Sequence, residues 1–130
     1  MENNFDKVRE YLTDLRYSIV TEVVEDGIFV IEKEDEGIKN MVVAVAEPIV
    51  ILEQYLFDIK EDSMEMYKAL LQKNQDIIHG AFVIDESGKK VLFRDTLQLE
   101  NLDLNELEGS LNSLILLLGE WSGQIIKFAS

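Results

Sequence analysis

The residue types that most often carry out chemistry are scarce in this chain. It has one histidine, His79, and no cysteine, so thiol catalysis, disulfides and thiolate zinc sites are excluded. His79 stands directly before Gly80, with Asp76 and Asp85 as the nearest carboxylates in the sequence. A catalytic histidine needs a nucleophile and an orienting acid within reach, and a lone histidine at the start of a strand is usually structural. We therefore predict no catalytic site, and an enzyme built around His79 is the alternative.

A run of acidic residues is the second candidate for chemistry. Residues 32–37 read EKEDEG, and acids at the first, third and fifth positions before a glycine resemble the start of a calcium-binding loop. The twelfth position, where such a loop needs a bidentate glutamate, is Val43, and the flanking segments have the pattern of strands. We interpret the run as a charged hairpin turn. The sequence predicts no metal site and no cofactor, and it contains no phosphate-binding or hydrolase motif.

Charge and composition narrow the class of protein. The 130 residues include 26 acidic and 12 basic side chains, a formal net charge of −14, and 47% of them are hydrophobic. Because so acidic a surface repels phosphate backbones, we predict that nucleic acid is not a partner. The apolar runs are far shorter than the ~20 residues that cross a bilayer, and the initial residues MENNFDK do not have the pattern of a secretory signal. The sequence therefore predicts a single cytoplasmic domain over residues 1–130, with no membrane insertion.

The first half of the chain has the pattern of one helix followed by strands. Residues 4–16 place apolar side chains at helical spacing behind two asparagines that can cap a helix. Three segments rich in β-branched residues follow and are separated by acidic turns that end in glycine. These predicted strands are residues 18–24, 28–33 and 38–46. Pro48 ends or bulges the third strand, and residues 49–57 are either a fourth strand or its continuation.

A second helix and a second hairpin are predicted next. Asp62 and Glu65 have the spacing of a capping box for a helix that ends near Lys73. The predicted apolar face of this helix consists of Met64, Tyr67, Leu70 and Leu71. Two apolar strands, at residues 82–84 and 91–93, flank a turn that contains Gly88, and apolar residues on both of their faces are typical of central strands. With the last helix, the predicted order of elements is α-β-β-β-(β)-α-β-β-α.

The last predicted helix has more apolar positions than one packing face can use. Asp103 and Glu106 have the spacing of a capping box, and apolar residues then follow in steps of three and four along one seam. The seam is Leu104, Leu107, Leu111, Leu114, Leu118, Trp121, Ile125 and Phe128. Outside this seam lie Ile115, Leu116, Leu117 and Ile126. A helix that is apolar nearly all round must be covered on more than one side, either by a curled sheet or by a second molecule.

We predict a second molecule, because the rest of the chain is short for wrapping around this helix. The second molecule is either another copy of the chain or a client protein. The strand over residues 49–56 is another candidate for self-association, since an exposed strand edge can pair with a second chain. The predicted surface for a partner or a dimer therefore comprises Ile49, Ile51, Ile115, Leu116, Leu117 and Ile126.

Four segments and their order carry a resemblance to a known family. They are PIVILEQYLF at residues 48–57, LLQKNQDIIHGAF at 70–82, VLF at 91–93 and NLDLNELE at 101–108. With these segments the chain resembles the YbjN and CesT-like (Tir chaperone) superfamily of bacterial type III secretion chaperones over nearly its whole length. The resemblance implies an α+β fold in which helices pack against an antiparallel β-sheet, commonly as a homodimer.

The resemblance also implies a function without catalysis. In that superfamily the secretion chaperones hold a partly unfolded effector against apolar patches, which would explain the surplus apolar face of the last helix. We therefore expect a chaperone-like or adaptor protein that is not an enzyme, forms a homodimer and binds a client or effector polypeptide. The alternative is a regulatory or stress-linked protein of the YbjN type, which responds to a small ligand or ion through the acidic turns at residues 25–27 and 32–37.

Overall fold

The computed structural model describes residues 3–130 and has three helices and a six-stranded antiparallel sheet. The helices are α1 (Asn4–Asp14), α2 (Met64–Asn74) and α3 (Leu104–Ala129). The strands are β1 (Ser18–Val23), β2 (Ile28–Lys33), β3 (Ile38–Ala46), β4 (Ile49–Asp58), β5 (Ala81–Ile84) and β6 (Lys90–Gln98). Their order across the sheet is β1-β2-β3-β4-β6-β5, and every neighbouring pair is antiparallel. The predicted fold class and element order are confirmed.

Tight turns join β1 to β4 into consecutive hairpins. The first two turns are short 3₁₀ segments, Val24–Asp26 and Glu34–Glu36, and each ends at a glycine with a positive φ angle. The second of them is the acidic run, so its interpretation as a hairpin turn is confirmed. At the third turn Pro48 ends β3, and β4 returns beside it as a separate strand. The open question about residues 49–57 is thereby resolved in favour of a fourth strand.

The second hairpin differs from the prediction, because β5 lies at an edge of the sheet and only β6 is central. The side chain of Asn74, at the end of α2, occupies the free edge of β5. Its Oδ1 accepts from the main-chain N–H of Phe82 at 2.8 Å, and its Nδ2 donates to the C=O of Phe82 at 3.3 Å. An amide side chain thus replaces a neighbouring strand, which lets a short apolar strand occupy an edge.

The helices begin and end through local hydrogen bonds. Asn3 and Asp103 cap α1 and α3 by accepting from the main-chain N–H three residues later. For α2 the predicted cap is wrong by one residue: Ser63 caps the helix, and Asp62 instead accepts from the Tyr67 hydroxyl at 2.6 Å. At the end of α1, Arg16 takes the positive φ angle that glycine usually supplies, and the last carbonyls of the helix are bonded in a Schellman motif.

All three helices pack against the same face of the sheet. Phe5 of α1 stacks on Phe29 of β2 with ring centroids 4.2 Å apart, and Trp121 of α3 lies 5.2 Å from Phe82 of β5. The strands contribute to this core Phe29, Ile31, Met41, Val43, Val50, Leu52, Phe82, Val91 and Phe93. The helices contribute Val8, Leu12, Met66, Leu70, Leu107, Leu111 and Leu114. The packed face of α2 therefore centres on Met66 and Leu70, whereas Met64 and Leu71, which we predicted to face the core, are exposed.

Two glycines with positive φ angles differ in their surroundings. Substitution of each one therefore distinguishes the free energy cost of backbone strain from the cost of a steric clash. A Cβ atom at Gly80 would overlap the buried ring of Phe93, whereas a Cβ atom at Gly88 would meet no heavy atom within 4 Å. We predict that Gly88→Ala lowers the free energy of unfolding by about 1 kcal/mol and Gly80→Ala by about 3 kcal/mol. Urea unfolding followed by circular dichroism measures both values. Equal losses for the two variants would contradict this placement of Gly80.

Candidate protein-binding surface

The structure places most of the predicted surface residues within reach of solvent, on two separate parts of the molecule. Ile49 and Ile51 lie on β4 and are half-buried. On α3, Leu116 is 55% exposed and Ile126 is 66% exposed, while Ile115 is half-buried and packs against the core. The six residues thus form one group on the sheet and one on the helix.

Leu117 is the exception, because it is 3% exposed and belongs to the core. Its assignment to the partner surface is wrong for the isolated chain. The connection between α2 and β5 covers this flank of α3, where Ser113 lies one helical turn before Leu117. Ser113 Oγ donates to the C=O of His79 at 2.7 Å and accepts from the N–H of the same residue at 3.2 Å. Part of the surplus apolar surface of α3 is therefore covered within the chain.

The face of the sheet opposite the helices carries aliphatic side chains on three neighbouring strands, β2, β3 and β4. We call these six residues the open sheet face: Ile28, Val30, Val42, Ala44, Ile49 and Ile51. Residues paired across antiparallel strands point to the same face, and here Ile28 pairs with Ala44, which in turn pairs with Ile51. Within residues 3–130, none of the six belongs to the core or to the half-buried side chains packed against it.

An uncovered apolar sheet face of this kind is typical of a contact surface. Each of the six side chains is half-buried only because its neighbours in the sheet shield it. Exposed contiguous apolar patches are rare on monomeric proteins and usually serve binding. Of these six residues, Ile49 and Ile51 were predicted from the sequence and the other four were not. The available signal was the apolar character of both faces of β2 and β3, which is typical of strands that are covered on both sides.

Charged and polar pairs lie along β4 and β6 beyond the open sheet face, and the Glu53–Arg94 pair is next to it. Arg94 and Glu53 pair across the strands at 3.4 Å, and Lys90 and Asp58 pair at 3.2 Å. The Tyr55 hydroxyl also donates to Asp58, at 2.9 Å. The hydrogen bonds from Tyr55 and Lys90 lower the pKa of the Asp58 carboxyl, and the bonds to this carboxyl raise the pKa of both donors. Charge therefore limits the apolar surface on this side.

The residues considered for catalysis and for ion binding do not form a recognisable site. Across residues 3–130, hydrogen bonds reach His79 only through its main chain. In the same part of the chain no three histidine, aspartate or glutamate side chains converge as metal ligands would. The described helices also include none that is long and apolar enough to span a membrane.

A known protein family matches the full length of the chain. The family model CesT_Tir_1 matches residues 1–130. No curated protein sequence matches the chain significantly.

Three solved structures share the fold. One is YbjN, described as a putative transcription regulator from E. coli, with a TM-score of 0.69 and 12% identity over 92% of this chain and 91% of that one. Another is the HopA1-SchA chaperone-effector complex, with a TM-score of 0.65 and 13% identity over 90% of this chain and 92% of that one. A third is an uncharacterized protein from Methanothermobacter thermautotrophicus, with a TM-score of 0.61 and 12% identity over 98% of this chain and 100% of that one. At these identities the similarity establishes the fold and nothing more.

Leu116 and Leu117 are adjacent in sequence but differ sharply in burial, which gives a direct test of the placement of α3. We predict that Leu117→Ala lowers the free energy of unfolding by about 3 kcal/mol because it leaves a cavity in the core. Leu116→Ala should change the same free energy by less than about 0.5 kcal/mol. Chemical unfolding of the two variants at low protein concentration measures both values. A larger loss for Leu116→Ala than for Leu117→Ala would show that α3 is rotated relative to this structure.

Proposed function

Because the chain belongs to the CesT_Tir_1 family, we propose that it is a chaperone-like or adaptor protein that is not an enzyme and that binds a partner polypeptide on its open sheet face. The family and the fold point to a partner-binding role without catalysis. The observation that carries the proposal is the uncovered row of aliphatic side chains on β2, β3 and β4. The shared fold with the HopA1-SchA chaperone-effector complex supports a polypeptide as the partner.

The physical case for a polypeptide partner is the gain from covering apolar surface. Burial of such surface contributes about 25 cal/mol per Å², and the open sheet face consists of contiguous aliphatic groups on neighbouring strands. A partly unfolded client exposes apolar side chains that match this surface. Binding therefore lowers the free energy cost of exposing these side chains, so the client can remain unfolded while it is bound. This is the action expected of a holding chaperone.

The charge of the protein supports the same role. Its net charge of −14 keeps a complex with an apolar client in solution and attracts basic segments of that client at a distance. Pairs such as Glu53 and Arg94 border the apolar surface, so the charged and apolar parts are spatially separate. The apolar part then supplies affinity and the acidic part supplies solubility and orientation.

The proposal includes a homodimer formed through the outer face of α3. Leu116 and Ile126 are exposed there, and they lie at equal distances in sequence before and after position 121. The glycines at 119 and 123 lie between them and are also equally spaced about position 121. When two identical helices pair antiparallel about a two-fold axis, Leu116 of one copy meets Ile126 of the other. Cβ atoms added at the two glycines would meet no heavy atom of the chain within 4 Å, so this face has room for a close approach.

A photo-crosslinking amino acid at position 51 tests the client surface. With benzoylphenylalanine in place of Ile51, irradiation of source cells should join the protein to a different polypeptide. The same amino acid in place of Lys68, exposed on the helical side, should not capture it. The captured polypeptide is then purified, and Ile49→Glu should weaken its binding by at least about tenfold, roughly 1.4 kcal/mol. Capture at both positions, or only of a second copy at position 51, would count against the client surface.

Light scattering tests the homodimer. We predict twice the chain mass of 14.9 kDa for the native protein, and a monomer for Leu116→Glu, because two carboxylates would enter an apolar contact. Leu71→Glu is the matched control, since Leu71 is a comparably exposed leucine on α2. A dimer that survives Leu116→Glu but is lost with Leu71→Glu would place the contact on α2 instead.

A further inference from the structure

A groove lies between α3 and the connection that joins α2 to β5, and we call it the α3 groove. Its volume is about 350 Å³, which is within the range usual for small-molecule sites. Ile77 and Ile78 of the connection and Leu116 and Leu117 of α3 give it an aliphatic lining. Leu117 is buried, whereas Leu116 is 55% and Ile78 is 78% exposed. The α3 groove is therefore an apolar site that solvent can enter.

The α3 groove is preformed, because hydrogen bonds fix the connection to α3. The hydroxyl of Ser113 bonds to both the C=O and the N–H of His79, at 2.7 and 3.2 Å. The imidazole ring of His79 lies beside Gly109, where an added Cβ atom would come within 3.5 Å of Nε2 and Cδ2. A ligand that enters a fixed groove pays little entropy for ordering it. The ring nitrogens of His79 line the same groove and are available to an occupant.

The charges in the α3 groove favour a positively charged occupant. One cation and two carboxylates line it. The cation, Lys73, already has partners, since its Nζ lies 3.8 Å from Glu120 and 5.9 Å from the centroid of the Trp121 ring. Asp76, in contrast, has no ion pair or side-chain hydrogen bond within residues 3–130. The charge without a partner is therefore negative.

The end of α2 adds to this negative potential. The helix ends at Asn74, and both Lys73 and Asp76 line the α3 groove at this end. The carboxyl end of a helix carries a partial negative charge, because the peptide dipoles are aligned along the axis. The helix dipole and Asp76 therefore favour a cation at the same place.

We propose that the α3 groove binds a small organic cation, namely an amine with an aliphatic or aromatic body. The apolar body packs on Ile77 and Leu117, and the ammonium group binds Asp76, with a ring nitrogen of His79 as a further acceptor. A carboxylate ligand is disfavoured because Asp76 and Glu120 repel it. The inference goes beyond the proposed function, since neither the open sheet face nor the homodimer contact uses Asp76, Ile77 or His79.

Three probes with the same alkyl chain separate the effect of charge from that of the apolar body. They are hexylammonium, hexanol and hexanoate. In methyl NMR spectra of the native protein, hexylammonium should shift the signals of Ile77, Ile78 and Leu117, with half-saturation at about 1 mM. Hexanol should bind more weakly by about threefold. Hexanoate should leave the signals unchanged up to about 10 mM.

Two matched pairs of variants identify the charged groups, with the fold of each checked by circular dichroism. Asp76→Asn should weaken hexylammonium binding by about threefold and leave hexanol binding unchanged. Asp14→Asn, which removes the same charge at the end of α1, should change neither. Lys73→Met should strengthen hexylammonium binding by about threefold, because it removes a competing cation and keeps the aliphatic stem. Lys68→Met, the same change at an exposed position of α2, should not strengthen it.

Each of the opposite results overturns the amine site. They are no shift with hexylammonium up to about 10 mM, equal binding of hexylammonium and hexanol, no effect of Asp76→Asn, and weaker hexylammonium binding in Lys73→Met. Equal shifts at Ile28, Ile49 and Ile51 would also overturn it, because they would show general association with apolar surface. None of these results concerns a polypeptide client, so the amine site and the proposed function can fail independently.

Discussion

The packing of all three helices against one face of the sheet is the constraint on which the rest of the structure depends. The core takes one row of side chains from each central strand and the seam of α3, and it encloses Phe29 and Phe93 completely. This arrangement leaves the alternate side chains of the same strands without a cover. Because those side chains are also aliphatic on β2, β3 and β4, the fold itself creates an apolar surface on the opposite side.

A protein with an uncovered apolar sheet must keep that sheet from joining other sheets without specificity. The edge at β5 is closed by the side-chain amide of Asn74, and the acidic turns between the first three strands repel other acidic copies. Inside the sheet, the Gln54 side chain of β4 bonds the main chain of Gly37 and Lys39 where the main-chain pairing of β3 and β4 has ended. The exposed main chain is thus limited to short stretches, and one of them lies in the cleft between β4 and α3.

The order of the elements could be predicted from the sequence because its signals are local. Glycine after an acidic turn, an asparagine or aspartate before a helix, and apolar steps of three and four all act within a few residues. The burial of Leu117 could not be predicted, since it depends on a connection that is distant in sequence and bonds to Ser113. The edge position of β5 depends on Asn74 in the same way. Only two residues of the open sheet face were predicted, because apolar side chains on both faces of β2 and β3 do not say which face the helices will cover.

The most direct test of the account uses the isoleucine methyl groups, because they sample both faces of the sheet. A soluble paramagnetic chelate is added to the purified native protein, and the broadening of each methyl NMR signal is measured. The account predicts strong broadening for Ile28, Ile49 and Ile51, and little for Ile31 and Ile38, which are fully buried. Equal protection of all five methyl groups would mean that the open sheet face is already covered in the native protein, and would contradict its role as the client surface.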